Sequence, residues 1–151
     1  MKYFEALLLK KKIISFNWIG ACLKAGKLLS SSEFEIKGDE IRLKQGKRER
    51  RGSSDFDYSK IFSSHKFYLY GEFSQPPRDQ LEHLIKSSNA TLVDTVLAFP
   101  RGTIVLADPS SQYTFEKDAE IIKKHPIVSP SWFLDSISCG RALDFHGYLI
   151  L

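Results

Sequence analysis

The sequence predicts an α/β fold made of two copies of one unit, each a small, mostly parallel sheet flanked by helices, with the first copy incomplete. Three observations carry this. A segment near the N-terminus matches one near the C-terminus without a gap, at a constant offset of 114 residues. Over residues 61–151, short runs of β-formers alternate with helix-patterned segments in the order β-α-β-β-α-β-α, the pattern of a parallel sheet with helical crossovers. The chain is 151 residues long with 42% hydrophobic and 26% charged residues, which is ordinary globular composition and enough chain for a core.

The repeat sets the elements at both ends. Ile13 meets Ile127, Ser15 meets Ser129, Trp18 meets Trp132, Gly26 meets Gly140 and Leu29 meets Leu143. The same register continues through Phe34 with Tyr148 and Ile36 with Ile150. In the second copy, Ile127-Val128 is a short β-branched run suited to a buried strand. Ser129 is a good helix N-cap, and Pro130 stands where a first helical turn tolerates proline. Trp132, Phe133, Leu134 and Ile137 then give an apolar helical face, and Gly140 ends the helix in the left-handed conformation. Asn17 and Gly26 take the two capping positions in the first copy. Trp18 and Trp132 are read as core anchors rather than ligand platforms.

The rest of the second copy reads backwards from there. Phe67–Tyr70 is a strand ending at Gly71. Residues 76–89 start with two prolines, carry an apolar stripe of Leu81, Leu84 and Ile85, and close at Asn89, as a helix would. Thr91–Val93 is a second short strand; Thr103–Ala107, almost wholly apolar, is a third and central one. Residues 115–124 form a weaker helix. In the first copy, Lys2–Leu9 is the penultimate helix, Ile13-Ile14 the last strand and Asn17–Ala25 the last helix; the strand-helix-strand-strand that should precede them is not in the sequence. Three regions follow: residues 1–38 as the end of the first repeat, 39–60 as a basic linker, and 61–151 as the second repeat.

Composition excludes several classes. Two cysteines, Cys22 and Cys139, are too few and too far apart for a disulfide framework or a thiolate metal site, which favours a reduced intracellular protein. Apolar runs such as Ala6–Leu9 fall far short of the ~20 residues that span a bilayer, and residues 1–9 lack the features of a secretion signal. No membrane partner is expected. Charge is uneven: residues 1–60 carry 14 Lys/Arg against 8 Asp/Glu, net +6, and the remainder 8 against 10, net −2. The excess sits in the run Arg42–Arg51, which suits a flexible linker, a nuclear import signal or a nucleic-acid patch.

A tryptophan helix that follows a short β run and ends in glycine, repeated at this spacing, resembles the tandem BRCT family. Further motifs share the resemblance: Lys2-Tyr-Phe4, Glu33 to Asp39, Lys47-Arg48 ahead of Lys60-Ile-Phe62, Phe67-Tyr-Leu-Tyr-Gly71, Tyr70-Gly-Glu-Phe73, Asp79-Gln-Leu-Glu82 and Ser129 to Asp135. The resemblance covers nearly the whole chain. It implies a phosphoprotein-binding module of a nuclear DNA-damage-response or DNA-repair protein belonging to a RING ubiquitin-ligase complex. In that family the first repeat holds a phosphoserine, and the two repeats together hold an aromatic residue three positions later. Matched position by position, Lys2 falls on the phosphate-binding lysine, and Phe4, Gln75, Pro76 and Leu134 border the pocket for the aromatic. The family's phosphate-contacting Ser/Thr and Gly, and an Arg three residues before the lysine, lie upstream of Met1. Pro76 and Pro130 replace longer side chains, which implies a shallower pocket.

Catalysis finds no pattern. His65, His83, His125 and His146 sit in separate segments without metal-ligand spacing, and Gly52, Gly71 and Gly102 are isolated rather than part of a phosphate loop. Asp79 and Glu82 stand near a helix start, where acidic side chains complement the dipole. The expectation is a non-enzymatic interaction module without cofactor, metal or small-molecule substrate. Its partners would be phosphorylated proteins, with chromatin or histones as further candidates. Two alternatives stay open: nucleic-acid or chromatin binding through the 42–51 run, and a truncated fragment without a competent site.

Overall fold

A computed structural model describes residues 1–36, 57–96, 99–110 and 119–150. The basic run 42–51, most of the linker and the start of the helix expected over 115–124 lie outside the described residues.

The second copy folds around a four-stranded, all-parallel sheet. Its strands are β1 (Lys66–Tyr70), β2 (Thr91–Leu92), β3 (Thr103–Ala107) and β4 (Ile127–Val128), in the order β2-β1-β3-β4. β1 runs beside β3 from Lys66 opposite Thr103 to Tyr70 opposite Ala107. β3 is interior and buried at all five positions, as its apolar sequence requires of a strand covered on both faces. The helices are α1 (Lys2–Leu8), α2 (Asn17–Ala25), α3 (Arg78–Ser87), α4 (Ala119–Ile122) and α5 (Pro130–Cys139). The core centres on an aromatic group in which Phe62 lies 4.8 Å from Phe133 and 5.7 Å from Trp132, between ring centroids, and Phe67 lies 5.2 Å from Phe133. A second cluster, with Val105, Ala107, Ile122 and Ile127 at its centre, fills the opposite face of the sheet.

The 114-residue repeat is written into the hydrogen bonds. Trp18 Nε1 donates to the Leu29 carbonyl at 3.0 Å, and Trp132 Nε1 to the Leu143 carbonyl at 2.9 Å. Leu29 N donates to Cys22 Sγ, and Leu143 N to Ser136 Oγ. Ser15 N donates to Phe34 O and Ser129 N to Tyr148 O, beside antiparallel bridges of Ile14 with Glu35 and Val128 with Leu149. Both helices end on a left-handed glycine, Gly26 at φ 62° and Gly140 at φ 68°. Each tryptophan thus ties its helix to the chain that returns past it.

Three expectations need correcting. Asn17 is the first helical residue and not a cap: Phe16 is the N-cap, and the acceptor for Asn17 N is Ser15 Oγ at 3.3 Å. Ser129 Oγ does the same for Ser131 N at 3.2 Å, so the repeated feature is a serine hydroxyl that accepts from the amide two residues on. The α3 helix starts at Arg78, after both prolines, and Ser88 rather than Asn89 is its C-cap; Asn89 takes φ 58° just beyond. Trp18 is only half-buried, while Trp132 is buried, because no sheet among the described residues lies against the first copy's helix.

Candidate functional site

The site begins with where α1 packs. This seven-residue helix belongs to the first copy by sequence, yet it lies against α3 and α5 of the second. Leu7 and Leu8 are buried there and join the same core cluster as Leu81, Leu84 and Phe133. Burying two leucines contributes roughly 3–6 kcal/mol before entropy, enough to hold a short helix that would be unstable alone. Lys10 at φ 54° ends the helix, and its Nζ pairs with Asp57 Oδ1 at 3.3 Å.

This packing distributes the residues expected to form the site. Lys2 is exposed at the first turn of α1, and Phe4 is half-buried against the core. Leu134, on α5, is half-buried against the same cluster. Pro76 is half-buried and Gln75 exposed in the loop between β1 and α3. Phe4 and Leu134 therefore meet one core at the α1–α5 contact, whereas Lys2 opens onto a different feature. It lines a cleft of about 290 Å³ between α1 and α3 with Met1, Glu5, Asp79, Gln80, His83 and Leu84. His83 Nε2 approaches Glu5 Oε1 at 3.1 Å across this cleft.

Glu5, Asp79 and His83 were not singled out as site residues from sequence. The available signal was weak: Glu5 stands three residues after Lys2, and His83 four after Asp79, so each pair shares a helix face. Asp79 and Glu82, read together from sequence, separate here. Glu82 Oε1 pairs with Arg78 Nε at 3.0 Å while Asp79 lines the cleft.

The loops at the C-terminal ends of β1 and β3 are joined by Asp108. One carboxylate oxygen accepts from Ser74 N (3.2 Å) and Ser74 Oγ (3.0 Å), the other from Ser110 N (2.9 Å) and Ser110 Oγ (2.7 Å). The Ser110 hydroxyl, then the Ser110 amide and the Ser74 donors, hold the Asp108 carboxyl down at about 2. Tyr148 donates to Asp135 Oδ2 at 2.9 Å; burial first, then this bond, pushes its phenol up to about 12. Among the described residues, no group of three or more His, Cys, Asp or Glu could hold a metal ion, and no helix is long and apolar enough to cross a membrane.

The sequence profile of the BRCT domain matches residues 60–149. The chain belongs to the BRCT family. Across 99% of its length it is 34% identical to a breast cancer type 1 susceptibility protein homolog of Rattus norvegicus. A second relative, BRCA1-associated RING domain protein 1 of Arabidopsis thaliana, is 30% identical over 63% of the chain. The chain spans 8% of the first relative's length and 13% of the second's. The fold is shared with the BRCT5-BRCT6 domains of Brc1 from S. pombe, at a TM-score of 0.61 and 12% identity, over 97% of this chain and 76% of that one. The α/β architecture with a parallel sheet between helices is thus a BRCT fold, and the chain is similar in sequence to part of breast-cancer susceptibility protein homologs.

Proposed function

We propose that this chain is part of the module by which a longer nuclear protein of the DNA-damage response binds phosphorylated partners. In this reading Lys2 contacts the phosphate of a phosphoserine. The groove bordered by Phe4, Gln75, Pro76 and Leu134 takes an aromatic side chain three residues later. The observation that supports it best is the docking of α1 on α3 and α5, which leaves Lys2 exposed while Phe4 and Leu134 border one core. A phosphate carries about −1.5 to −2 charge and makes its strongest contacts with a cation plus several hydrogen-bond donors. One lysine supplies the cation, so donors from polypeptide outside residues 1–151 complete the site in the parent protein. The sequence similarity to both relatives supports a parent that works in a RING ubiquitin-ligase complex. The module itself binds and does not catalyse.

The test is fluorescence-polarisation titration of a phosphoserine peptide with phenylalanine three residues on, against residues 1–151 and against a version extended upstream by the parent's next ~60 residues. The reading expects the extended version to bind at least tenfold more tightly than the short one, and dephosphorylation to abolish binding. Binding of duplex DNA by the chain, with affinity falling steeply as salt rises, would instead favour a nucleic-acid role for the 42–51 run.

A further inference from the structure

The interior strand β3 runs directly into a charged residue. Asp108 follows Ala107, is only 7% exposed, and sits where the parallel strands end at their C-terminal side. Its Oδ1 accepts from Ser110 N and Oγ in its own loop, and its Oδ2 from Ser74 N and Oγ in the loop after β1. Because β3 is buried throughout, this carboxylate is fixed to a rigid part of the sheet. The loop it reaches joins β1 to α3 and carries Gln75 and Pro76. The ends of that loop are held in other ways. Arg78 Nη1 donates to the Leu69 carbonyl at 3.3 Å and to the Gly71 carbonyl at 3.4 Å, and Phe73 packs against the core. Ser74 and Gln75 are exposed and Pro76 is half-buried, so the chain leaves the core at Ser74. Two bonds to one carboxylate oxygen fix the amide and the side chain of Ser74 together. They also fix the direction in which the chain runs on to Gln75 and Pro76. A proline ring is closed onto its own backbone with φ locked, so Pro76 follows that direction more closely than a flexible side chain would.

We propose that Asp108 is a positioning residue for peptide specificity: through Ser74 it holds Gln75 and Pro76 where they discriminate an aromatic from a small side chain three residues after the phosphoserine. This rests on the phosphopeptide reading above, in which Gln75 and Pro76 border the pocket for the aromatic. Asp108 acts through Ser74 and has no contact with the peptide. A pocket wall held in place before binding avoids the cost of ordering a loop in the complex. A small side chain that leaves the pocket empty gains nothing from that wall, so the clamp acts on selectivity for the aromatic. Lys2 stands on α1, a different element, so the phosphate contact does not depend on the clamp.

The test separates the two ends of the peptide. The upstream-extended chain is titrated by fluorescence polarisation with peptides that are phosphorylated or not, and that carry phenylalanine or alanine three residues after the serine. Asp108→Asn keeps an oxygen for the shorter Ser110 bonds and turns its NH2 towards Ser74 N, which cannot accept, so it releases the loop that carries Gln75 and Pro76. The preference for phenylalanine over alanine should fall at least about threefold, while the preference for the phosphorylated peptide stays within about twofold of wild type. Ser74→Ala and Ser110→Ala each remove one hydroxyl donor from the same carboxylate, on opposite sides of it. Ser74→Ala should weaken the phenylalanine preference and Ser110→Ala should leave it unchanged, whereas a merely structural role would move both alike. This pair of milder variants decides the matter if Asp108→Asn folds poorly. The proposal alone is overturned if wild type prefers phenylalanine and Asp108→Asn keeps that preference, if the phosphate preference falls in parallel, or if Ser110→Ala loses as much as Ser74→Ala. A wild-type chain that prefers neither phosphate nor phenylalanine overturns the phosphopeptide reading, and this proposal with it.

Discussion

Asp108 offers the most exacting test of how the second repeat is held together. Its carboxylate receives four donors from two loops that are far apart in sequence, Ser74 and Ser110. Asp108→Asn keeps the shape but presents an NH2 group to two of those donors and removes the charge. The carboxyl lies at about 2 rather than 3.8, which at 1.36 kcal/mol per pKa unit corresponds to roughly 2.5 kcal/mol of stability at neutral pH. Ser74 and Ser110 are both exposed, so solvent screens part of this, and the expected loss is about 1–2 kcal/mol. The sign is fixed by the direction: a depressed carboxyl stabilises the fold fully above pH 3.8, and that contribution disappears as pH falls through 3.8 towards 2. Urea unfolding followed by circular dichroism at pH 7, 4 and 2.5 measures the difference between wild type and Asp108→Asn. A gap at pH 7 that has narrowed to about a third by pH 2.5 is the predicted result. No gap at pH 7, or one of equal size at every pH, would refute the reasoning.

Two further predictions concern the core. Phe133→Ala should cost about 3–5 kcal/mol, whereas Ile19→Ala, its counterpart in the first copy, should cost less than about 1, because Phe133 is fully buried and Ile19 half in water; denaturant midpoints report both, with Phe133→Leu as a milder variant that stays folded. His65 Nδ1 is buried without a partner and burial pushes the imidazole pKa down, so the unfolded chain binds the proton more readily. Stability should therefore be complete above pH 6.5 and decline as pH falls below it, and His65→Phe should remove that decline in thermal melts between pH 7 and 5.

The legible and illegible parts of this chain separate along physical lines. The repeat could be read because each copy needs the same few groups: a serine acceptor at 15 or 129, an indole donor at 18 or 132 and a left-handed glycine at 26 or 140. The central place of β3 followed from its almost wholly apolar run, since an interior parallel strand buries both faces. Contacts across long stretches of sequence left no local trace. Ser74 and Asp108 are 34 residues apart, and Glu5 and His83 are 78 apart, so neither pairing has a periodicity to reveal it. Amphipathic spacing in α2 showed which face is apolar but not that this face lies open, because exposure depends on what packs there and not on the helix itself. Lys2 likewise has no pattern of its own. A lysine in a first helical turn is ordinary, and its proposed role rests on the family resemblance together with the docking of α1.

The most direct measurement of the functional reading is the affinity of the upstream-extended chain for the phosphoserine peptide, wild type against Lys2→Met. Lys2 is exposed, so the substitution should leave the fold and the unfolding midpoint unchanged. The account predicts that affinity falls at least tenfold, about 1.4 kcal/mol, and that the preference for the phosphorylated over the unphosphorylated peptide is lost. Unchanged affinity and an intact phosphate preference in Lys2→Met would contradict it.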